Sequence, residues 1–88
     1  MYPTGSKLQY IYDLLCDMKR SDSIAVYFEG GMSTCYTIGG NVVEIPQPFR
    51  MTFGMFRSYA TRIANEHGMV IKTRTGEEGN YLYIWRVI

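Results

Sequence analysis

The chain has 88 residues and a formal net charge of +1, with 47% hydrophobic, 19% charged and 15% aromatic residues. This is a globular composition rather than the polar, charge-rich one that keeps chains disordered, and the length suits one domain over residues 1–88 and excludes repeat arrays, propellers and eightfold barrels. Ordering each backbone residue costs ~1–2 kcal/mol, so most of the apolar side chains must be buried and few are left to line a deep substrate cavity.

The first element is a helix. Ser6-Lys7-Leu8-Gln9 has the form of a capping box, and Leu8, Ile11, Leu14, Leu15 and Met18 recur at helical spacing, which predicts a helix over 7–20. Ser21-Asp22-Ser23 breaks that pattern. Residues 24–29, β-branched and aromatic, then form a strand that Gly30-Gly31 turns into a second strand over 32–38, and Gly39-Gly40-Asn41 leads to a third over 42–45. Turns this short make the three strands an antiparallel meander, ended by Pro46-Gln47-Pro48, since proline cannot donate to a ladder.

The second helix is the best punctuated segment. Thr52 is the expected N-cap, Met51 and Phe56 stand at the two positions of a hydrophobic staple, and Gly68 is the expected left-handed residue just past the end. Phe53, Phe56, Tyr59, Ala60, Ile63 and Ala64 fall in one stripe, with Arg57, Ser58, Thr61, Arg62, Asn65 and Glu66 opposite. Residues 69–75 and 81–87 form a closing hairpin around Gly76-Glu77-Glu78-Gly79-Asn80. The order α-β-β-β-α-β-β predicts an α+β two-layer sandwich, an antiparallel sheet of about five strands with two helices on one face and water on the other.

Charge is unevenly distributed. Residues 1–45 carry Lys7, Lys19 and Arg20 against Asp13, Asp17, Asp22, Glu29 and Glu44, a net −2; residues 46–88 carry Arg50, Arg57, Arg62, Lys72, Arg74 and Arg86 against Glu66, Glu77 and Glu78, a net +3. The electropositive half could meet a phosphate backbone. The longest apolar runs, 24–28 and 81–85, span five residues each, against about 20 for a membrane helix. No secretory signal is visible, so a cytoplasmic location with reduced thiols is expected, with Cys16 and Cys35 as small buried hydrophobes.

No constellation supports catalysis or a cofactor. His67 is the only histidine, which leaves a zinc site short of members, and its place at the end of the second helix suits a structural role. Asp13 and Asp17 share a helix face at i, i+4 and read as a solvated surface, with Arg20 near Asp17, rather than as an acid–base or metal pair. The glycine pairs precede strands and not helices, so they are turns and not phosphate loops. An enzyme is not expected, and neither is a metal.

The strongest candidate site is the donor-only face Arg57, Ser58, Thr61, Arg62 and Asn65, followed by Lys72 and Arg74 on a basic hairpin that could lie along a phosphate backbone like a wing. Every helix needs a solvated face, and that is the bland alternative. A second candidate is the row Tyr81, Tyr83 and Trp85, alternating with Leu82 and Ile84. Core packing is the favoured reading for the row in so short a chain; on a helix-free sheet face it would stack bases or anchor a protein. Some of Tyr2, Tyr10, Tyr12 and Tyr27 should be surface residues.

The stretch 57–68, Arg-Ser-Tyr-Ala-Thr-Arg-Ile-Ala-Asn-Glu-His-Gly, with the basic strand Val70-Ile71-Lys72-Thr73-Arg74 and the ending Leu82-Tyr83-Ile84-Trp85-Arg86-Val87, resembles the C-terminal part of small accessory proteins of tailed bacteriophages. The resemblance covers about 30 residues. It implies an early or accessory protein acting inside a bacterial host, either on nucleic acid or by occupying the surface of a host enzyme or defence complex. Two expectations result. The first is a non-enzymatic nucleic-acid-binding protein, for DNA before RNA, using the second helix and the C-terminal hairpin. The second is an inhibitor or adaptor that docks on a host protein through Tyr10, Asp13, Asp17, Tyr27, Tyr83 and Trp85. Edge strands at 69–75 or 81–88 leave a homodimer open.

Overall fold

The computed structural model describes residues 2–19, 21–76 and 79–88. Its elements are α1 (Lys7–Asp17), β1 (Ser23–Glu29), β2 (Met32–Ile38), β3 (Asn41–Glu44), a short 3-10 turn (Gln47–Phe49), α2 (Phe53–Glu66), β4 (Ile71–Thr75) and β5 (Tyr81–Arg86). The strands make one antiparallel sheet in the order β3-β2-β1-β5-β4. The architecture is α+β, as the sequence predicts. Glu77 and Glu78 of the expected last turn, and Arg20 as the expected neighbour of Asp17, lie outside the described residues.

Helix α1 is shorter than its apolar stripe. Met18 has an extended backbone, with ψ 130°, and is buried, so the apolar pattern outlasts the helix by one core contact. At the other end Ser6 accepts from the Gln9 amide as expected, at 3.1 Å, but the Gln9 side chain donates to Asp13 Oδ1 at 2.8 Å instead of reaching back. Only half of the capping box forms, because an i, i+4 carboxylate offers that amide a charged acceptor on the same helix face.

Both hairpins of the meander close through two-residue glycine turns, 30–31 and 39–40, with φ between +55° and +83°. Positive φ at both central residues gives the twist that matches paired strands and is costly for any residue with a Cβ. One feature of β2 has no sequence signal. Tyr27 opposes Cys35 while Phe28 opposes Ser33, so Thr34 is an extra residue, and its hydroxyl donates to the Tyr27 carbonyl at 3.4 Å. This bulge puts Ser33 on the helix side, where it is buried and bonds Met51 twice: its N–H donates to the Met51 carbonyl at 2.8 Å, and its hydroxyl accepts from the Met51 N–H at 3.0 Å. The strand thereby fixes the entry to α2.

In α2, Thr52 accepts from the Met55 amide at 3.2 Å, Met51 and Phe56 are both buried, and Gly68 at φ +68° lets the Met69 amide close on the Ala64 carbonyl at 2.9 Å. The core takes Ile11, Leu14, Leu15 and Met18 from the α1 segment, Phe56, Ala60 and Ile63 from α2, and Ile24, Val26, Phe28, Leu82 and Ile84 from the two central strands. All five sheet residues are even-numbered. Since side chains alternate along a strand, both helices cover one face of the sheet and the odd-numbered side of β1 and β5 is left to solvent. Neither cysteine is in the core: Cys16 is exposed on the outer side of α1, and Cys35 is half-buried at an outward position of β2. Among the described residues no helix is long and apolar enough to cross a membrane.

Candidate functional site

The residues predicted to form one surface occupy two. Arg57, Ser58, Thr61, Arg62 and Asn65 are all exposed on α2, above the helix-covered face, and with Phe53 and Gly54 they line a shallow depression of about 560 Å3. Lys72 and Arg74 are elsewhere. In the register of the closing hairpin Lys72 opposes Trp85 and Arg74 opposes Tyr83, whereas Thr73 opposes the core residue Ile84. Strand alternation therefore turns both cations onto the helix-free face, away from α2, and the single wing-like surface is corrected to two.

The row Tyr81, Tyr83 and Trp85 lies on that helix-free face. Leu82 and Ile84 are fully buried, but Tyr81 is 41% exposed and Tyr83 and Trp85 are half-buried without joining the core. Packing within the row explains their partial cover. Tyr81 and Tyr83 have ring centroids 6.1 Å apart and 14° between planes, Tyr83 and Trp85 are 6.0 Å and 31° apart, and Tyr27 joins from β1 at 5.2 Å from Tyr81. These are ordinary separations for aromatic pairs. A four-ring strip thus runs along the two central strands, with Lys72 and Arg74 beside it.

Side-chain bonding separates the cations of residues 46–88 further. Arg50 is 3.8 Å from Glu44 and its Nε donates to the Ile45 carbonyl at 3.2 Å. Arg62 pairs with Glu66 at 3.4 Å. Arg86 donates to the carbonyls of Leu15 and Met18, at 3.0 and 2.7 Å, closing the C-terminal end of α1. Arg57, Lys72 and Arg74 take part in no ion pair or side-chain hydrogen bond among the described residues. Of these three, two flank the aromatic strip.

The residues named for a protein interface also divide. Tyr27, Tyr83 and Trp85 belong to the strip, while Tyr10, Asp13 and Asp17 belong to α1. Tyr10 is packed rather than offered: its ring stacks on Phe49 at 4.8 Å and 8°, and burial, with neighbouring Tyr36 second, pushes its hydroxyl up to about 12. Asp13 accepts from Gln9, and Asp17 is exposed. Tyr2 is half-buried; its hydroxyl donates to Glu66 Oε1 and lies 3.4 Å from His67 Nε2, and Tyr12 packs on His67 at 4.6 Å. This bond from Tyr2, and then Arg62, holds the Glu66 carboxyl below the usual carboxylate range. His67 is exposed and, among the described residues, no group of three or more His, Cys, Asp or Glu could hold a metal.

Ser23 and Ala25 share the helix-free face with the strip, and sequence reasoning missed them. They oppose Trp85 and Tyr83, and with Thr37, Gly39, Gly40 and Ile24 they line a depression of about 420 Å3 bounded by Tyr83. The available signal is the outward register of β1, which reads small, small, large at 23, 25 and 27. No protein-family model, curated protein or solved structure matches the chain.

Proposed function

We propose that this protein binds single-stranded nucleic acid without catalysis, with bases on the helix-free sheet face and the backbone along β4. The observation that carries this reading is the strip Tyr27, Tyr81, Tyr83 and Trp85, left uncovered by both helices and edged by Lys72 and Arg74. Flat aromatic faces accept any base, and cations beside them neutralise phosphate, which together give affinity with little sequence preference. A duplex keeps its bases stacked inside, so this face suits an unpaired strand.

The α2 face becomes the lesser contributor, because Arg62 is engaged by Glu66 and the one ring lining the depression beside Arg57, Phe53, is half-buried and packed on Phe28. In this reading a protein like the phage accessory proteins that the chain resembles would meet such a strand inside a bacterial host. Docking on a host protein through α1 has less support, since Tyr10 and Asp13 already satisfy partners within the chain.

Fluorescence titration of Trp85, the only tryptophan, with single-stranded DNA and RNA of about 12 nucleotides tests the proposal, ~4–16 nucleotides being a usual site size for such surfaces. Binding should quench the emission and weaken between 50 and 200 mM salt. With two phosphate contacts the log–log slope should be about −1.4, at ~0.7 per contact for single strands. Absence of binding at 50 mM salt, or preference for duplex over single strand, overturns the proposal.

A further inference from the structure

The outward side of β1 changes character midway. Tyr27 fills its place with a ring against Tyr81, but Ala25 beside Tyr83 and Ser23 beside Trp85 are too small to do the same. The sheet surface therefore steps down at the end of the aromatic strip. Alanine is poorly suited to strands, where β-branched and aromatic side chains pack better on the pleated surface, and here it stands in a central strand between Thr37 on β2 and Tyr83 on β5. On the far side Gly39 and Gly40 present backbone without side chains, and a Cβ built on either would meet nothing within 4 Å. The resulting depression, about 420 Å3, is lined by one aromatic residue, Tyr83, by the small Ala25 and the two glycines, and by two hydroxyl-bearing residues, Ser23 and Thr37. That volume is within the ~300–1,000 Å3 range of small-ligand clefts.

We propose that this depression takes one unpaired nucleobase, stacked against Tyr83 and hydrogen-bonded at its edge by Ser23 and Thr37. The inference rests on the strand-binding reading above and deepens it: the strip holds bases by their faces, while the depression holds one base by face and edge together. A planar heteroaromatic ring with polar edges fits a lining that combines an aromatic ring with hydroxyls, and burying such edges without partners would be unfavourable. The flanking phosphates then reach Arg74, which opposes Tyr83 on the other side of β5. A strand bound this way has a fixed register, whereas a strand held by stacking alone can slide.

The test is an abasic scan. A single-stranded 12-mer carrying one abasic site, moved position by position, is titrated against the wild-type protein and against Ala25→Leu and Thr37→Val. Wild type should show one position where base removal lowers affinity about tenfold, a loss within the ~1–3 kcal/mol that stacking of one base contributes, and smaller losses elsewhere. Ala25→Leu fills the depression and should flatten that position while other positions keep their effects. Thr37→Val keeps the shape and should weaken only the discrimination between bases there. Free mononucleotides, as a competing arm, should displace the strand only weakly, since they keep a single phosphate and have no neighbouring bases to stack on the strip. A flat scan in wild type, or an Ala25→Leu profile equal to wild type, overturns the base site and leaves the strand-binding reading standing. Mononucleotide binding as tight as the strand overturns the assignment of the pocket to a strand's base. Failure of wild type to bind any single strand overturns both.

Discussion

The outer face of α2 and the helix-free face of the sheet both carry polar, cationic side chains, yet they differ in what stands beside the charge. On α2 the cations alternate with hydroxyls and an amide, Arg62 is tied to Glu66, and the apolar stripe is turned into the core. On the sheet each cation of β4 lies next to an aromatic ring of β5. A charged helix face is the ordinary solvated side of an amphipathic element. A sheet face with four exposed or half-buried rings is unusual for a small domain, because those rings contribute least to the core and most to recognition when left uncovered. Function is better read from uncovered apolar surface with charge at its edge than from charge alone.

The sharpest way to break this comparison uses neighbours on one strand. Leu82→Ala and Ile84→Ala remove fully buried side chains and should each cost ~2–5 kcal/mol of stability in chemical denaturation. Tyr83→Ala and Trp85→Ala should instead lower single-strand affinity by ~1–3 kcal/mol each, with the smaller stability change expected of half-buried rings. Equal stability losses and unchanged affinity would assign the strip to packing. Next in size is Arg86→Ala, which leaves the carbonyls of Leu15 and Met18 without their charged donor; a loss of ~1–3 kcal/mol is expected in thermal or chemical unfolding, with binding per folded molecule unchanged.

The charges sharpen the comparison at a smaller scale. Replacing Lys72 or Arg74 by Gln should flatten the salt slope by ~0.7 each, while Arg57→Gln and Arg62→Gln should leave it unaltered. The smallest effect is at the N-terminus. Tyr2 holds Glu66 ionised by hydrogen bonding to its carboxylate, so the folded-state pKa is lowered. That contribution is fully present above the unfolded carboxylate value and is lost as the pH falls through the lowered folded value. Tyr2→Phe should move the Glu66 titration, followed by NMR, back up toward an ordinary carboxylate without changing strand binding.

Element order and type were legible because each boundary has a local physical cause. Ser6 and Thr52 cap helices, glycine pairs permit the two meander turns, and the alternation of Leu82 and Ile84 with the aromatic row marks two opposed faces. What was not legible depends on how separate segments meet. Thr34 looks like any other strand residue, so the bulge that places Ser33 under Met51 shows only once β1 and β2 are paired. The same holds for the site. Lys72 and Arg74 follow α2 in sequence, but strand parity and sheet order set them on the opposite side of the molecule, beside rings whose exposure depends on where both helices pack. Arg62 and Arg86 look equally available in the sequence until Glu66 and the end of α1 claim them.

The most direct test of the central claim is a map of backbone amide shifts during titration of the labelled protein with a single strand of about 12 nucleotides, within the usual site size. The account predicts that the largest changes fall on residues 23–27, 37–40, 72–74 and 81–85, with α2 little affected. Shifts concentrated on residues 57–65, with the helix-free face unmoved, would contradict it.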